Sequence, residues 1–360
     1  MSIGNGLPTF VSTRGTKLGA ALVGFAMVFL LATPARAQHS AYLLGTLGLN
    51  GGSQTPEGIF YSNIWSWYHA SGDAFAETGP LKCGPLDRVC LSLNLGGHGN
   101  LDLFVDQNIF GWTSPYKILG ANYGLFVDVP FALADASGAA TVEPVLTFER
   151  GTATGSGLQN SGGSTKGSIA NIYLEPINLG WHFSHLDLTI SSGVIMPSGP
   201  YNANAKLNIG TGNAAGMFGL GGVAYADAEH TWALSIYSHY LLYSSQIGRP
   251  YTLGDVVPLE WGAGKTVSLN NDIFKQLTVG AVGYAQWQVN DNQIDSTPST
   301  KLGVAALNKL EGTRSQVYAA GPSINLLTKY GLFSLRYYDE FDAKATPSGR
   351  QLMFSVALLF

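Results

Sequence analysis

Residues 275–288 read KQLTVGAVGYAQWQ and change character from one position to the next. One set of alternate positions is apolar or small and consists of Leu277, Val279, Ala281, Gly283, Ala285 and Trp287. The other set is mostly polar and consists of Gln276, Thr278, Gly280, Tyr284, Gln286 and Gln288. Because successive side chains of a β-strand point to opposite faces, the stretch predicts a strand with one face suited to lipid and one suited to water.

The same alternation recurs between Gly58 and Phe360, for example at Leu186–Ser191 and Thr231–His239. A soluble β-sandwich also alternates, so the pattern alone leaves both classes open. Segment length favours the membrane, because a tilted spanning strand needs about 9–11 residues and soluble strands have about 5–6. Aromatic residues gather near the segment ends, as interfacial girdles do; they include Trp65, Trp67, Tyr68, Trp112, Tyr116, Trp181, Phe183, Tyr240 and Tyr243.

The chain ends on Phe360, preceded at every second position by Leu352, Phe354, Val356 and Leu358. A last strand that ends on an aromatic residue resembles the insertion signal of bacterial outer-membrane barrels. Outer-membrane lipid and the barrel-insertion machinery are therefore the expected partners of the wall. Together these features predict an all-β fold, an antiparallel transmembrane β-barrel of the outer membrane with about 12 strands.

The alternating segments and the connections between them give the expected strands and loops. The strands are expected at 58–69, 99–111, 116–129, 168–183, 186–196, 215–226, 230–243, 256–268, 275–288, 314–327, 330–341 and 350–360. Long external loops are expected near 70–98, 130–167, 197–214 and 289–312, since external loops are the longer ones in such barrels. An even strand count leaves one alternative open, in which 139–150 is a wall strand and 58–69 leaves the wall for the lumen.

The first 37 residues have the pattern of a secretory signal peptide. Arg14 and Lys17 precede the apolar run Leu18–Ala32, and a small-x-small site predicts cleavage after Ala37. The run is shorter than the about 20 residues that a membrane-spanning helix needs. The mature domain is thus expected at 38–360, in the cell outer membrane. Export also makes a disulfide between Cys83 and Cys90 the expected state of these two cysteines, the only ones in the chain.

Composition and motifs give little support to a nucleic-acid-binding or catalytic function. The net charge of −4 offers no basic surface for phosphate backbones. Gly262–Thr266 resembles the end of a phosphate-binding loop, but it lies in an alternating strand and lacks the first glycine of that motif. His182 and His185 flank a turn without clustered ligands, and the mature chain has no Gly-x-Ser-x-Gly elbow. We therefore expect no enzyme, no cofactor and no metal site.

Ionisable residues inside the expected strands are the candidate functional residues. A charge that faces lipid near the middle of the bilayer costs about 2–4 kcal/mol, so these side chains are expected to face the lumen. There they either form a structural ion-pair network or guide a solute, and both interpretations remain open. The polar lumen candidates are Asp102, Asp106, Asn171, Tyr173, Glu175, Arg336 and Glu340.

Several short motifs, in order, resemble one family of exported bacterial proteins. They are Lys117–Ala121, Asn171–His182, Met196–Tyr201, Gly283-Tyr284 with Gln286, Ala320–Pro322, and Glu340-Phe341-x-Ala343 followed by Gly349. The chain resembles the family named for the meta-pathway of phenol degradation. Asn171 stands where that family usually has Asp, and Ser198 where it usually has Thr. The resemblance implies an outer-membrane barrel that passes hydrophobic or aromatic compounds toward a catabolic pathway.

Two hypotheses of function follow. The first is a channel for passive diffusion of small apolar or aromatic solutes, since the expected strand count lies between the filled barrels of about 8 strands and the open barrels of about 16. The second is a structural or adhesive surface barrel with a closed lumen and functional external loops.

Overall fold

The computed structural model describes residues 41–83, 89–148, 151–154, 158–203, 205, 207–248, 251–269, 271–294 and 314–360. The predicted signal peptide lies outside these residues. The first described segment contains a short 3-10 helix, Gly48–Asn50. The strands are β1 (Gly58–Cys83), β2 (Val89–Ile118), β3 (Ala121–Phe148), β4 (Gly151–Thr154), β5 (Leu158–Ile169), β6 (Ile172–His182), β7 (Leu186–Met196), β8 (Ala215–Tyr225), β9 (Trp232–Tyr243), β10 (Tyr251–Thr252), β11 (Val256–Ser268), β12 (Phe274–Gln288), β13 (Gln293–Ile294), β14 (Gln316–Thr328), β15 (Gly331–Lys344) and β16 (Ser348–Leu359).

Twelve of these strands form one closed antiparallel wall. Its order is β1, β2, β3, β6, β7, β8, β9, β11, β12, β14, β15 and β16, and β16 pairs again with β1. The pairing of β1 with β16 runs from Phe60, which lies opposite Leu359, to Ser71, which lies opposite Ser348. Closure leaves no unpaired strand edge in the wall, which is the condition for a sheet to cross hydrocarbon. The predicted transmembrane β-barrel of twelve strands is confirmed.

No helix among the described residues is long and apolar enough to span a membrane.

Short turns and long connections define the two ends of the barrel. Phe360 lies at the end with the short turns, which is the periplasmic end in barrels of this type. The turn between β2 and β3 consists of Leu119 and Gly120, whose φ angles are 52° and 81°. Such a pair of positive φ angles makes a tight hairpin turn. The sequence-based boundary between residues 111 and 116 was therefore wrong, because β2 continues to Ile118.

The first three wall strands continue past the membrane on the external side. Two of the predicted external loops, 70–98 and 130–167, consist largely of these extensions and of β4 and β5, which pair with the outer part of β3. Residues 139–148 are a continuation of β3, and 58–69 stays in the wall as the start of β1. The alternative wall strand at 139–150 is thus excluded.

The two faces of the wall follow the predicted alternation in most strands. In β7, Leu188 and Ile190 face outward, whereas Thr189 and Ser191 are buried in the interior. In β9, Leu234 and Ile236 face outward, and the side chains of Ser235, Tyr237 and His239 point inward. The outer face is therefore an apolar belt, and the interior of the barrel contains the packed core.

Position along β7 should determine the cost of an outward-facing charge. Ile190→Arg should lower the free energy of unfolding by about 2–4 kcal/mol, because residue 190 lies well inside the belt, whereas Leu186→Arg at the periplasmic edge should cost about 0–1 kcal/mol. Both side chains are partly exposed on the outer face. Denaturant titration in phospholipid vesicles measures the difference, and equal costs would contradict the assigned membrane position.

Candidate functional site in the barrel lumen

The lumen has an apolar wall and a polar wall. The apolar wall belongs to β1, β2 and β3 and consists of Ile64, Leu101, Leu103, Val105, Ala132 and Ala134. The polar wall belongs to β6, β7 and β9 and includes Tyr173, Glu175, Asn178, Thr189, Tyr237 and His239. Any molecule inside the barrel therefore meets hydrocarbon on one side and hydrogen-bonding groups on the other.

Residues 41–57, which precede β1, lie inside the lumen; we call this segment the plug. The backbone N of Ala41 lies 3.2 Å from the hydroxyl of Tyr243, near the external end of β9. From there the plug descends to Thr55, whose hydroxyl lies 3.0 Å from that of Thr113 near the periplasmic end of β2. Leu49 is fully buried against Tyr284, Tyr338 and other core residues. The plug thus runs along the barrel before the first wall strand begins.

Two buried charged residues of the wall hold the plug by its backbone. Arg336 donates to the carbonyl oxygens of Gly45 and Thr46 at 3.0 and 2.5 Å. Glu260 accepts hydrogen bonds from the Tyr42 hydroxyl at 2.7 Å and from the Leu47 backbone N–H at 2.9 Å. Burial and the neighbouring Glu260 raise the pKa of Tyr42 well above its ordinary value, so the phenol stays protonated and donates. Hydrogen bonds to charged groups are the stronger ones, worth about 1.5–3 kcal/mol each.

Gly52 lies directly against the backbone of β8. Its N–H donates to the Ser235 hydroxyl at 2.8 Å, and its carbonyl accepts from the Thr189 hydroxyl at 2.9 Å. A Cβ atom at this position would lie 2.1 Å from the carbonyl oxygen of Gly222. Only glycine allows this approach, since a backbone carbonyl in a wall strand cannot move aside as a flexible side chain can.

At the periplasmic end, Gln54 ties the plug to β3 and β6. Its side-chain amide donates to the carbonyl oxygen of Asn122 at 3.2 Å and to that of Asn178 at 3.1 Å. The same amide also donates to the side-chain oxygen of Asn178 at 2.8 Å. These bonds close the narrow space around the plug where it reaches β1.

The predicted external loop 197–214 folds back into the barrel mouth; we call it the inward loop. Leu207 is buried against the apolar wall, in one cluster with Leu101 and Ala132. Asn171 fixes this loop, since its amide donates to the Thr211 hydroxyl at 2.5 Å and its side-chain oxygen accepts from the Gly199 backbone N–H at 3.3 Å. The loop thus narrows the external entrance.

A cavity of about 730 Å³ remains between the plug, the inward loop and the wall. On its polar side, Glu175 accepts a short hydrogen bond from the Tyr173 hydroxyl and another from the Asn178 amide at 2.7 Å. The Tyr237 hydroxyl donates to Ser191 at 2.9 Å. The cavity size lies within the range of about 300–1,000 Å³ that is usual for small-molecule sites.

The prediction that Asp102 faces the lumen was wrong. Its side chain points outward, is 64% exposed and pairs with His69 at 2.6 Å. In the sheet it lies in the same row as His69 and Arg350, and Arg350 in turn lies 3.5 Å from Asp339. This charged row lies two residues beyond the outward-facing Trp67 on β1, toward the external extensions of β1 and β2. There water, rather than lipid, solvates the charges.

Asp106 also faces outward, in one row with Trp65, Phe131 and Phe354. Its carboxylate accepts hydrogen bonds from the side-chain amides of Asn63 at 2.6 Å and Asn108 at 3.3 Å. Two amide donors offset part of the cost of a carboxylate on the outer face. The alternation of β2 is reversed because its inward positions must be apolar to pack against Leu207 and the plug.

The structure places the other five candidates on the inner side of the wall. Asn171, Tyr173, Glu175 and Arg336 line the cavity, and each contacts the inward loop, the plug or a polar neighbour as described above. Glu340 lies closer to the external end, where it accepts hydrogen bonds from the hydroxyls of Tyr68 at 2.8 Å and Tyr284 at 2.7 Å. Their roles toward a solute stay a prediction.

The remaining sequence motifs have no place in this site. His182 lies at the periplasmic edge, where its imidazole nitrogen is 3.0 Å from a carboxylate oxygen of Asp187. No group of metal-ligating side chains is found among the residues that the structure describes. The backbones of Cys83 and Cys90 are paired directly opposite each other, and the disulfide stays a prediction.

Sequence reasoning missed the plug and the inward folding of residues 197–214. Residues 38–57 lack the alternation of a strand, so their sequence predicts no strand of the wall. The glycines of the segment Gly45–Gly52 were an available signal, because glycine permits positive φ angles and close backbone approach. Gly45 and Gly48 indeed have φ angles of 83° and 71°.

Comparison with known proteins places the chain in a family. The family model described as "Putative MetA-pathway of phenol degradation" matches residues 87–356. No curated protein sequence matches the chain.

Solved barrels resemble the chain at low sequence identity. An outer membrane channel from Pseudomonas putida F1 is 13% identical with a TM-score of 0.49, and the match covers 86% of this chain and 98% of that one. The CymD monoaromatic hydrocarbon channel is 9% identical with a TM-score of 0.38, over 85% and 89% of the two chains. A Pseudomonas aeruginosa FadL homologue is 9% identical with a TM-score of 0.35, over 84% and 90%.

Gly52→Ala should dislodge the plug, because the new Cβ would overlap the Gly222 carbonyl. Single-channel conductance in planar bilayers should rise above that of the unmodified barrel. Gly216→Ala is the matched control, since a Cβ at residue 216 meets nothing within 4 Å. If the two variants conduct alike, the contact between Gly52 and Gly222 does not hold the plug.

Proposed function

Because the chain belongs to the MetA-pathway family of phenol degradation, we propose that it is an outer-membrane channel for passive uptake of small hydrophobic or aromatic compounds that feed a catabolic pathway. The observation that carries this proposal is the cavity with one apolar wall inside a closed barrel. A ring compound can lay its face on Leu101, Leu103 and Val105, which are all buried and line this cavity.

The free energy of contact with the apolar wall favours apolar solutes over polar ones. Burial of apolar surface stabilises a complex by about 25 cal/mol per Å², so a small aromatic ring gains contact energy on the apolar wall that a sugar does not. A water-filled pore would instead have polar side chains around its whole circumference. The polar wall then serves to orient the solute through hydrogen bonds.

Passage along this route requires the plug or the inward loop to move. Both are held by hydrogen bonds with the wall, and neither is part of the hydrogen-bonded barrel. Such segments can shift without breaking the sheet, which keeps its own backbone pairs. We propose that these two segments set the rate of passage, and that no catalytic step accompanies it.

The location and partners of the chain follow from the same proposal. The apolar belt contacts outer-membrane lipid, the signal peptide is removed after Ala37, and the insertion machinery engages the last strand through Phe360. Phe360 is 76% exposed, so its ring is accessible at the periplasmic edge.

The rival function, a structural or adhesive surface barrel, is favoured by the extensions of β1, β2 and β3 beyond the membrane. Ser137 pairs with Gly163, so a short turn can replace the residues between them. With that replacement, a channel should keep its aromatic uptake, whereas an adhesive protein should lose surface binding. Uptake and cell adhesion measured on the same cells decide between the two functions.

Leu103→Gln should reduce uptake about tenfold, since a polar amide removes roughly 1.5 kcal/mol of apolar contact. The measurement is the initial rate of labelled toluene uptake at low concentration by cells that lack the chain and carry each variant. Leu133→Gln is the matched control, because Leu133 lies on the neighbouring strand and faces outward, 51% exposed. Equal uptake rates in the two variants would contradict the role of the apolar wall. Uptake by cells with the unmodified chain that is no faster than by cells without it would refute the channel.

A further inference from the structure

His239 is a buried imidazole on the polar side of the cavity. Its side chain is only 6% exposed and lines the cavity. Its ring lies between two tyrosines, with centroid distances of 4.8 Å to Tyr42 and 4.7 Å to Tyr237. Among the residues that the structure describes, none forms a hydrogen bond with this imidazole. The two tyrosine rings pack against the imidazole at tilts of 50° and 41°, and its two nitrogens are left for another partner.

The two tyrosines are themselves fixed. The Tyr237 ring lies over Gly219 and Gly221, where added Cβ atoms would come within 2.7 and 2.2 Å of ring carbons. Its hydroxyl is held by Ser191, as described above. Tyr42 belongs to the plug, and its hydroxyl is held by Glu260. Both tyrosine hydroxyls therefore bond to groups other than His239.

An imidazole in this position has unused hydrogen-bonding capacity. Neutral imidazole carries one donor and one acceptor nitrogen. A buried polar group without a protein partner loses part of its solvation, and a ligand that supplies the missing hydrogen bond recovers that loss. A hydroxyl group suits this edge, since it both donates and accepts.

The surroundings of His239 select against anions. Glu175 and Glu260 are 6% and 4% exposed, and their oxygens act as acceptors toward tyrosine hydroxyls and N–H groups. The two terminal nitrogens of Arg336 are already engaged, one by the plug carbonyls and the other by the Ser355 hydroxyl. A carboxylate ligand beside His239 would be buried while the terminal nitrogens of Arg336 are already engaged, and an unpaired buried charge is costly.

We propose that His239 is the polar anchor of a binding subsite for uncharged aromatic compounds that carry one hydroxyl group. The subsite deepens the proposed channel function and rests on it. The ring of the ligand lies toward the apolar wall, and its hydroxyl bonds to the His239 edge. The channel then retains a hydroxylated ring longer than the plain hydrocarbon of the same shape.

Three ring compounds of similar shape test the subsite on the purified full chain in detergent. They are 4-methylphenol, p-xylene and 4-methylbenzoate, and isothermal titration calorimetry measures their Kd values. We expect 4-methylphenol to bind about fivefold more tightly than p-xylene, which is the effect of one neutral hydrogen bond. The benzoate should bind more weakly than either. Equal affinity for 4-methylphenol and p-xylene, or binding of none of the three compounds, overturns the subsite.

Variants then assign the preference to the residue. His239→Phe should abolish the preference for 4-methylphenol, and His239→Gln, which keeps a donor and an acceptor, should restore part of it. His185→Phe, in an exposed periplasmic turn, should leave the preference as it is. A preference that persists in a folded His239→Phe barrel overturns the assignment. The calorimetry is independent of the toluene uptake assay, so failed uptake refutes the channel, whereas failed discrimination refutes only the subsite.

Discussion

The structure depends on one constraint: a sheet that crosses hydrocarbon can leave no backbone N–H or C=O group unpaired. Pairing of β1 with β16 satisfies this condition by closing the wall. Closure creates an interior that twelve strands do not fill with their own side chains. The plug and the inward loop occupy part of this interior, and the cavity is the space that remains. The candidate site lies where the three meet.

The plug and the inward loop are held in the lumen by different interactions. The plug is held mainly by hydrogen bonds from its backbone to buried wall residues such as Glu260 and Arg336. The inward loop is held at one side by apolar packing of Leu207 and at the other by Asn171. The lumen consequently combines an apolar surface with a hydrogen-bonding surface, and this combination suits ring compounds with a single polar group.

Much of the wall could be predicted from the sequence, whereas the contents of the lumen could not. Alternation identified the faces of β7 and β9 because each of these strands meets lipid on one side and polar neighbours on the other. It failed at Asp102 and Asp106, since a rule based on the cost of charge in lipid takes no account of amide partners or of strands that leave the membrane. The plug and residues 197–214 were missed because their positions depend on contacts distant in sequence.

The position of the plug in the chain has a consequence for assembly. It immediately precedes β1, and β1 forms the seam with β16, which comes after the other wall strands along the chain. The plug bonds to β9, β11 and β15, so its binding partners exist only when most of the sheet has formed. Placement of the amino-terminal segment is therefore coupled to formation of the sheet, because its anchoring residues on β9, β11 and β15 come together only as the barrel forms.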